Sequence, residues 1–170
     1  YDFVKWTIDG NDYSVAEYTL TKITKNTTAV ATFKMLNGTP ISTEGELRAI
    51  ADNPSDEYYL TKDITLSSEW TPIASFSGTL DGKNYKISGV RFSTSTGRME
   101  QTGDKGIGLF CEISASGIVK NLTLNVNMTI KTYEQQSDSR LSFGAIAGTN
   151  YGLVENCKVT GNMNALSGKN

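Results

Sequence analysis

The chain has 170 residues with 16 Lys and Arg against 18 Asp and Glu, a balance that gives no reason to expect nucleic acid or an anionic membrane as partner. It contains no histidine, which excludes Ser-His-Asp and Cys-His catalysis, the HExxH zinc-protease motif and ordinary His-containing metal sites. No apolar run approaches the roughly 18 to 20 residues of a membrane span, so no membrane insertion is expected within this segment.

Residues 1–36 alternate apolar and polar positions in three short bursts, at 4–8, 18–23 and 29–33, separated by turns. Such alternation predicts a small module of β-strands. Its W-x-x-D-G turn at 6–10 and its closing segment at 23–33 resemble the end of a small β repeat that is strung in tandem in bacterial surface proteins. We therefore interpret residues 1–36 as a partial repeat module of a longer protein.

Residues 37–40 are a linker, and a helix is predicted near 43–51. Thr43 and Glu46 have the spacing of a capping box, and Leu47 and Ile50 lie on one apolar stripe. This helix is expected to cap a second domain that covers residues 37–170. An acidic group at 52–63 could suggest calcium, but its spacing matches no Ca²⁺ loop, and a solvated turn is the preferred interpretation.

Three blocks of the second domain are similar to one another: residues 85–92, 117–124 and 152–159, at offsets of 32 and 35. A short apolar burst precedes each block. Strands and turns that recur at this period are typical of the stacked coils of a β-solenoid. The domain is therefore predicted to be all-β, with its helix at the N-terminal end.

Inside each block the alternation of inward residues changes phase at one place. A strand cannot change phase without a bend, and the residue before the new phase is of a type that tolerates positive φ. We predict a left-handed corner there, stacked from coil to coil as a structural ladder: Gly89, Asn121 and Asn156. Asn121 and Asn156 are further expected to form a short amide ladder.

The residues now support a family resemblance. Segments 59–66, 70–73 and 76–82 resemble the opening of the β-helix region of bacterial surface proteins with the GLUG motif, a region that also precedes the catalytic part of IgA-specific zinc metallopeptidases. Segments 107–110 with 119–122, and 144–148 with 151–157, resemble two successive GLUG repeats. The resemblance covers residues 41–164 and implies a short right-handed parallel β-helix in an exported protein, at the cell surface or secreted. Cys111 departs from it, because the family usually has Gly there.

Two polar insertions interrupt the repeats at equivalent places, at 93–106 and 131–142. Because they emerge from successive repeats, they are predicted to lie side by side and to present one binding patch. Surface insertions without a role are the alternative. The candidate binding residues are Arg98, Glu100, Asp104, Lys105, Tyr133, Glu134, Asp138 and Arg140.

No catalytic set is visible. Asp81-Gly82 is typical of a hairpin turn, and outward positions such as Lys120, Thr123, Glu155 and Lys158 are mixed in charge. The two cysteines are predicted to fall on different faces, as buried thiols rather than a disulfide. No cofactor or metal is expected.

The sequence thus favours a non-catalytic, adhesin-like binding or scaffold segment of an extracellular protein. Its partner would be an unidentified protein or glycan of a host or the environment. End-to-end self-association stays open, because an uncovered solenoid end exposes core side chains and unpaired strand groups. The alternatives are an accessory region of a surface zinc peptidase and a polysaccharide-active β-helix enzyme.

Overall fold

The computed structural model describes residues 2–92, 106–133 and 142–168, with side chains at 2–92, 106–129 and 142–164. Strands dominate these residues. Helical structure within them is confined to α1 (Glu44–Arg48) and a 3₁₀ turn (Ala49–Asp52). The fold is therefore all-β, and the chain divides into two compact units, Tyr1–Asn37 and Gly38–Asn170.

The first unit is a small antiparallel sheet. Its strands are β1 (Asp2–Ile8), β2 (Asn11–Tyr13) and β3 (Ala29–Lys34), in the order β2-β1-β3. Asp9 and Gly10 turn the chain with φ of 47° and 84°. The alternating segment 18–23 forms no strand, although its alternation predicts one, and its side chains are exposed.

The second unit contributes strands to three parallel sheets. Sheet I has the order β13-β10-β7-β5-β4, sheet II the order β14-β11-β8-β6, and sheet III consists of β12 and β9. The strands are β4 (Thr39–Ile41), β5 (Glu57–Leu60), β6 (Ile64–Thr65), β7 (Thr79–Asp81), β8 (Lys86–Phe92), β9 (Phe110–Ile113), β10 (Ile118–Lys120), β11 (Thr123–Tyr133), β12 (Ala147–Asn150), β13 (Leu153–Glu155) and β14 (Lys158–Gly168).

Along the described chain, successive strands belong to sheets I, II and III in one fixed order. After β5 in sheet I and β6 in sheet II, Ile73 and Phe76 form parallel bridges to Phe110 and Ile113 of sheet III. The strands β7, β8 and β9 belong to sheets I, II and III in the same order, and so do β10, β11 and β12. The strands β13 and β14 then belong to sheets I and II. We call one passage through the three sheets a repeat.

The pairing corrects the predicted alignment of the first block. Val119 pairs with Leu80, whereas Ile87 pairs with Leu124, so the counterpart of β10 is β7 and not the segment 85–92. The predicted offset of 32 residues is therefore wrong. The offset of 35 is present in the last two repeats, where Val119 pairs with Val154.

Gly89 is correspondingly no member of the corner ladder. It lies in β8 where the register with β11 shifts, so it belongs to a β-bulge. Its φ is 73°, and a Cβ there would lie 2.7 Å from the carbonyl oxygen of Leu66. A bulge and a corner both change the inward phase by one residue, which is why the sequence pattern confuses them.

Apolar side chains from successive repeats stack on the inward faces of the sheets. Leu80 and Val119 of sheet I and Ile87 and Leu124 of sheet II are each 0% exposed. At sheet III the rings of Phe76 and Phe110 stack with their centroids 4.4 Å apart. Burial of one such side chain contributes roughly 1.5–3 kcal/mol, so the core consists of columns that cross the repeats.

The helix near the start of this unit carries the predicted capping box. The Thr43 hydroxyl accepts from the Glu46 N–H, and the Glu46 carboxylate accepts from the Thr43 N–H. The helical segment buries Leu47 and Ile50 completely. Residues at this end of the core are therefore covered by a helix.

Glu44 ties the helix to the chain after β6. Its carboxylate accepts from the backbone N–H of Ser67 at 2.7 Å and pairs with Arg48, and it also accepts from the hydroxyls of Ser67 and Ser68. These donors hold the pKa of Glu44 far below its ordinary value, and the Ser67 N–H has the largest effect. Arg48 in turn lies over the ring of Trp70, 4.9 Å from its centroid.

Replacement of Glu44 should therefore weaken the capped end. Glu44→Gln is expected to lower the urea midpoint at pH 7, because an amide accepts these hydrogen bonds more weakly than a carboxylate does. The depressed pKa adds stability that is present above about pH 4.5 and is lost as the pH falls below it. Between pH 7 and pH 3 the urea midpoint of the variant should therefore fall by less than the urea midpoint of the parent.

The control for this change is Glu57→Gln, at an exposed carboxylate that accepts no hydrogen bond from the described residues. It should leave the midpoint at pH 7 unchanged. Equal effects of the two substitutions would contradict the role given to Glu44.

Candidate binding surface

The predicted binding residues fall largely outside the described part of the chain. This applies to Arg98, Glu100, Asp104, Lys105, Glu134, Asp138 and Arg140. Tyr133 is the last residue of β11, where its backbone pairs with Gly168. The predicted patch therefore stays a prediction, and the structure describes the positions from which the two insertions leave and to which they return.

The two insertions return to the fold side by side. Ile107 and Phe143 form a parallel bridge, and the Ile107 N–H donates to the Ser142 carbonyl at 2.8 Å. The backbones are so close that a Cβ on Gly106 would lie 2.3 Å from the Cα of Gly148. The return points of the insertions are thus fixed against each other.

The insertions leave from neighbouring strands of sheet II. The first follows Phe92 at the end of β8, which pairs with Met128 of β11. The second was predicted to begin at residue 131, but β11 continues to Tyr133, so this insertion follows Tyr133, five positions beyond Met128. The departure points are offset along the strands by about 17 Å at the usual rise per residue.

The corner between sheets I and II carries a polar ladder. Asn121 and Asn156 have φ of 52° and 50°, the left-handed region that the change of phase predicts for them. The Asn156 side-chain amide donates to the Asn121 side-chain oxygen at 3.5 Å, a long hydrogen bond. Asn121 in turn donates to Asp81 Oδ1 at 3.0 Å. The ladder therefore runs Asp81, Asn121, Asn156.

Asp81 pairs in register with Lys120, so the residue after it, Gly82, and not Gly89, is the counterpart of Asn121. The Asp81 side chain joins the ladder as the hydrogen-bond partner of Asn121. The strands on either side of Asp81-Gly82 belong to different sheets, so the hairpin interpretation of this pair is wrong and the residues turn a corner. Partial burial opposes ionisation of Asp81, but hydrogen bonds from Asn121 and the Lys83 N–H, with the Lys83 charge, keep its pKa below the ordinary value. Asp81 is thus an ionised structural acceptor.

Charges on sheet I alternate from strand to strand. Lys120 pairs in register with Asp81 on one side and with Glu155 on the other. Its ammonium lies 3.8 Å from Asp81 Oδ2, and Lys83 lies 3.4 Å from the same oxygen. The charges of neighbouring strands in this row of sheet I therefore largely compensate one another.

Sheet II presents a different outer surface, which we call the basic face. Leu124, Val126 and Met128 of β11 are buried, so the alternate residues point outward. In register across β8, β11 and β14 lie the rows Lys86, Thr123 and Lys158, then Arg91, Asn127 and Asn162, with Asn125 beside Thr160 and Thr129 beside Asn164. None of these outward residues is acidic.

The apolar residues of the last repeat are partly exposed. Val159 and Met163 of β14 are 45% and 43% exposed, although they pair with Leu124 and Met128, which are almost fully buried. Cys157 at the start of this strand is half-buried. Burial raises the pKa of its thiol, which donates to the Glu155 carbonyl, so this cysteine behaves as a neutral packing residue.

Other candidate sites receive no support from the described residues. Among them no group of three or more Cys, Asp or Glu side chains is placed to hold a metal ion, and this includes the acidic group at 52–63. No helix of the described chain is long and apolar enough to cross a membrane.

Comparison with known proteins finds two distant relatives. The chain is 31% identical over 154 residues to Halomucin of Haloquadratum walsbyi, an alignment that covers 75% of this chain. It is 29% identical over 113 residues to a "Putative Gly-rich membrane protein" of Evansella cellulosilytica, covering 60% of this chain. The chain spans only 2% and 12% of the lengths of these proteins. No family model and no solved structure matches the chain.

The corner ladder leads to a stability prediction. Asn121→Val should destabilise the second unit by roughly 1–3 kcal/mol, because a β-branched residue resists positive φ and the hydrogen bond to Asp81 is lost. Asn127→Val, at an exposed strand position, should change stability by no more than about 0.5 kcal/mol. Urea unfolding followed by circular dichroism measures both, and equal losses would show that φ at Asn121 is unimportant.

Proposed function

We propose that residues 37–170 form a short right-handed parallel β-helix and that the chain is a non-catalytic, adhesin-like binding segment of an extracellular surface protein. The observation that carries this proposal is the fixed order in which successive strands join the three parallel sheets. The two insertions return to this fold next to Ile107 and Phe143, which form a parallel bridge. Such a support holds its insertions in place, as binding loops require. The named membrane protein among the relatives is compatible with a surface location.

We further propose that the repeats are of the GLUG type. The motif glycines have a structural reason in this arrangement. A Cβ on Gly108 would lie 2.8 Å from the Cα of Ala147, and a Cβ on Gly144 would lie 2.3 Å from the Ala147 carbonyl oxygen. A side chain at Gly108 would separate this segment from the next repeat, and a side chain at Gly144 would collide with the turn that leads into β12. Both conflicts support the assignment of the motif.

The non-catalytic part of the proposal rests on the sequence and on the described carboxylates. The chain has no histidine to act as a base near neutral pH. Asp81 and Glu44 accept hydrogen bonds that hold the corner and the helix. Their chemistry is therefore used by the fold.

The loops can be tested by shortening both insertions, 93–105 and 134–141, to two-residue turns. The parent should bind at least one ligand on an array of immobilised neutral glycans and extracellular-matrix proteins without releasing cleavage products; acidic glycans are left out of this array. The shortened variant should keep its thermal transition, because the return points are fixed by their own backbone bridge, but it should lose that binding.

The matched control replaces the exposed segment 18–23 of the first unit by Gly and Ser and should bind like the parent. Release of products from any glycan would favour the polysaccharide-active alternative instead. Binding that survives in the shortened variant would exclude the loops as the site.

A further inference from the structure

We propose a second binding surface, separate from the loops: the basic face of sheet II binds an acidic polysaccharide chain. This inference goes beyond the loop site and does not depend on it. It rests on the charge, the hydrogen-bonding groups and the regular spacing of the outward residues of β8, β11 and β14.

The charge of this face is unusual for the molecule. The chain as a whole has a formal charge of -2, and the charged row of sheet I alternates in sign. On the basic face Lys86, Arg91 and Lys158 are exposed. Asp63, at the edge beyond β8, lies 4.0 Å from Lys86 and is an exposed partner for that ammonium. A surplus of positive charge remains, and it favours an anionic partner.

Two of the three cations are oriented by the fold. Arg91 donates to the Ser67 carbonyl at 2.9 Å, which directs its guanidinium along the sheet and leaves its other N–H groups for a ligand. The Lys86 backbone N–H donates to the Asp63 carboxylate at 2.8 Å, which holds this carboxylate beside the Lys86 ammonium. The positions of two cations relative to the sheet are thus partly fixed before any ligand binds.

Amide groups fill the space between the cations. Asn127, Asn162 and Asn164 are exposed, and Asn127 and Asn162 are directly paired across β11 and β14. Each amide offers two donors and an acceptor, a combination that matches the hydroxyl groups of a sugar. Neighbouring strands lie about 4.8 Å apart, so these groups recur at regular intervals across the face.

The described outward residues of the basic face favour a polysaccharide over a single-stranded nucleic acid. They include no aromatic side chain on which a base could stack, and stacking supplies much of such binding. Three cations are also few for a phosphate backbone, whose affinity depends on many neutralised charges. Hydroxyl and carboxylate groups on an extended chain fit the mixture of amides and cations better.

The test uses the whole chain with polygalacturonate as the probe, neutral dextran as the uncharged control and duplex DNA as the competing polyanion. Affinity electrophoresis should show retardation by polygalacturonate that decreases with added salt, with little retardation by dextran. The triple variant Lys86→Gln, Arg91→Gln and Lys158→Gln should bind polygalacturonate roughly tenfold more weakly, since it loses the charge-assisted contacts.

The matched control removes the same charge elsewhere: Lys5→Gln, Lys25→Gln and Lys120→Gln should bind within about twofold of the parent. A further variant, Asn127→Thr with Asn162→Thr, keeps the charge and should bind more weakly than the parent. Both sets of variants should keep the circular dichroism spectrum of the parent.

Equal weakening by the two triple variants would show a nonspecific effect of net charge and overturn the site. Tighter binding of DNA than of polygalacturonate would overturn the assignment to polysaccharide. Absence of retardation by polygalacturonate would overturn the proposal as a whole. The loop-shortened variant should retain this binding, which separates the failure of the two proposals.

Discussion

Parallel backbone pairing between strands of successive repeats is the constraint on which the second unit depends. The eleven paired positions of β11 and β14, from Thr123 to Tyr133, keep one register without a shift. Because side chains alternate along a strand, this register decides at once which residues enter the core and which face outward. A slip by one residue would expose Leu124 and Met128 and bury Asn125 and Asn127.

The corners and glycines follow from the same constraint. Strands about 4.8 Å apart require each bend to repeat in the next repeat, so the left-handed residues Asn121 and Asn156 stack and share a hydrogen bond. Where the backbones approach most closely, only glycine fits, as at Gly106 and Gly148. Packing, corner geometry and residue choice are therefore linked through the register.

Function is connected to this register by the separation of the outer faces. In the sequence Lys120 and Thr123 stand close together, as do Glu155 and Lys158, and the four look mixed in charge. The corner at Asn121 and Asn156 divides them between sheets I and II. Sheet I then carries a row of alternating sign, whereas the described outward residues of β8, β11 and β14 in sheet II include no acidic side chain. The basic face therefore cannot be recognised from the order of charges along the sequence.

Several features could be predicted from local patterns, namely the capping box of α1, the strand-rich fold and the left-handed conformation of Asn121 and Asn156. These depend on residues close in sequence. The pairing of Leu80 with Val119 and the bulge at Gly89 could not be predicted, because they depend on the register between strands that are distant in sequence. The alternation at 18–23 predicted a strand that the structure does not contain. The candidate loops were visible only as interruptions, and the residues proposed there lie outside the described chain.

The register of β11 and β14 is the most direct test of this account, and a pair of introduced cysteines can measure it. In a background with Cys111→Ala and Cys157→Ser, Asn127→Cys with Asn162→Cys places two outward thiols on directly paired residues, within the Cα separation of about 4.4–6.8 Å that a disulfide allows. Mild oxidation should produce an intramolecular disulfide in this variant and little in Asn127→Cys with Asn164→Cys. A disulfide in the second variant but not in the first would contradict the register and the arrangement of the faces that depends on it.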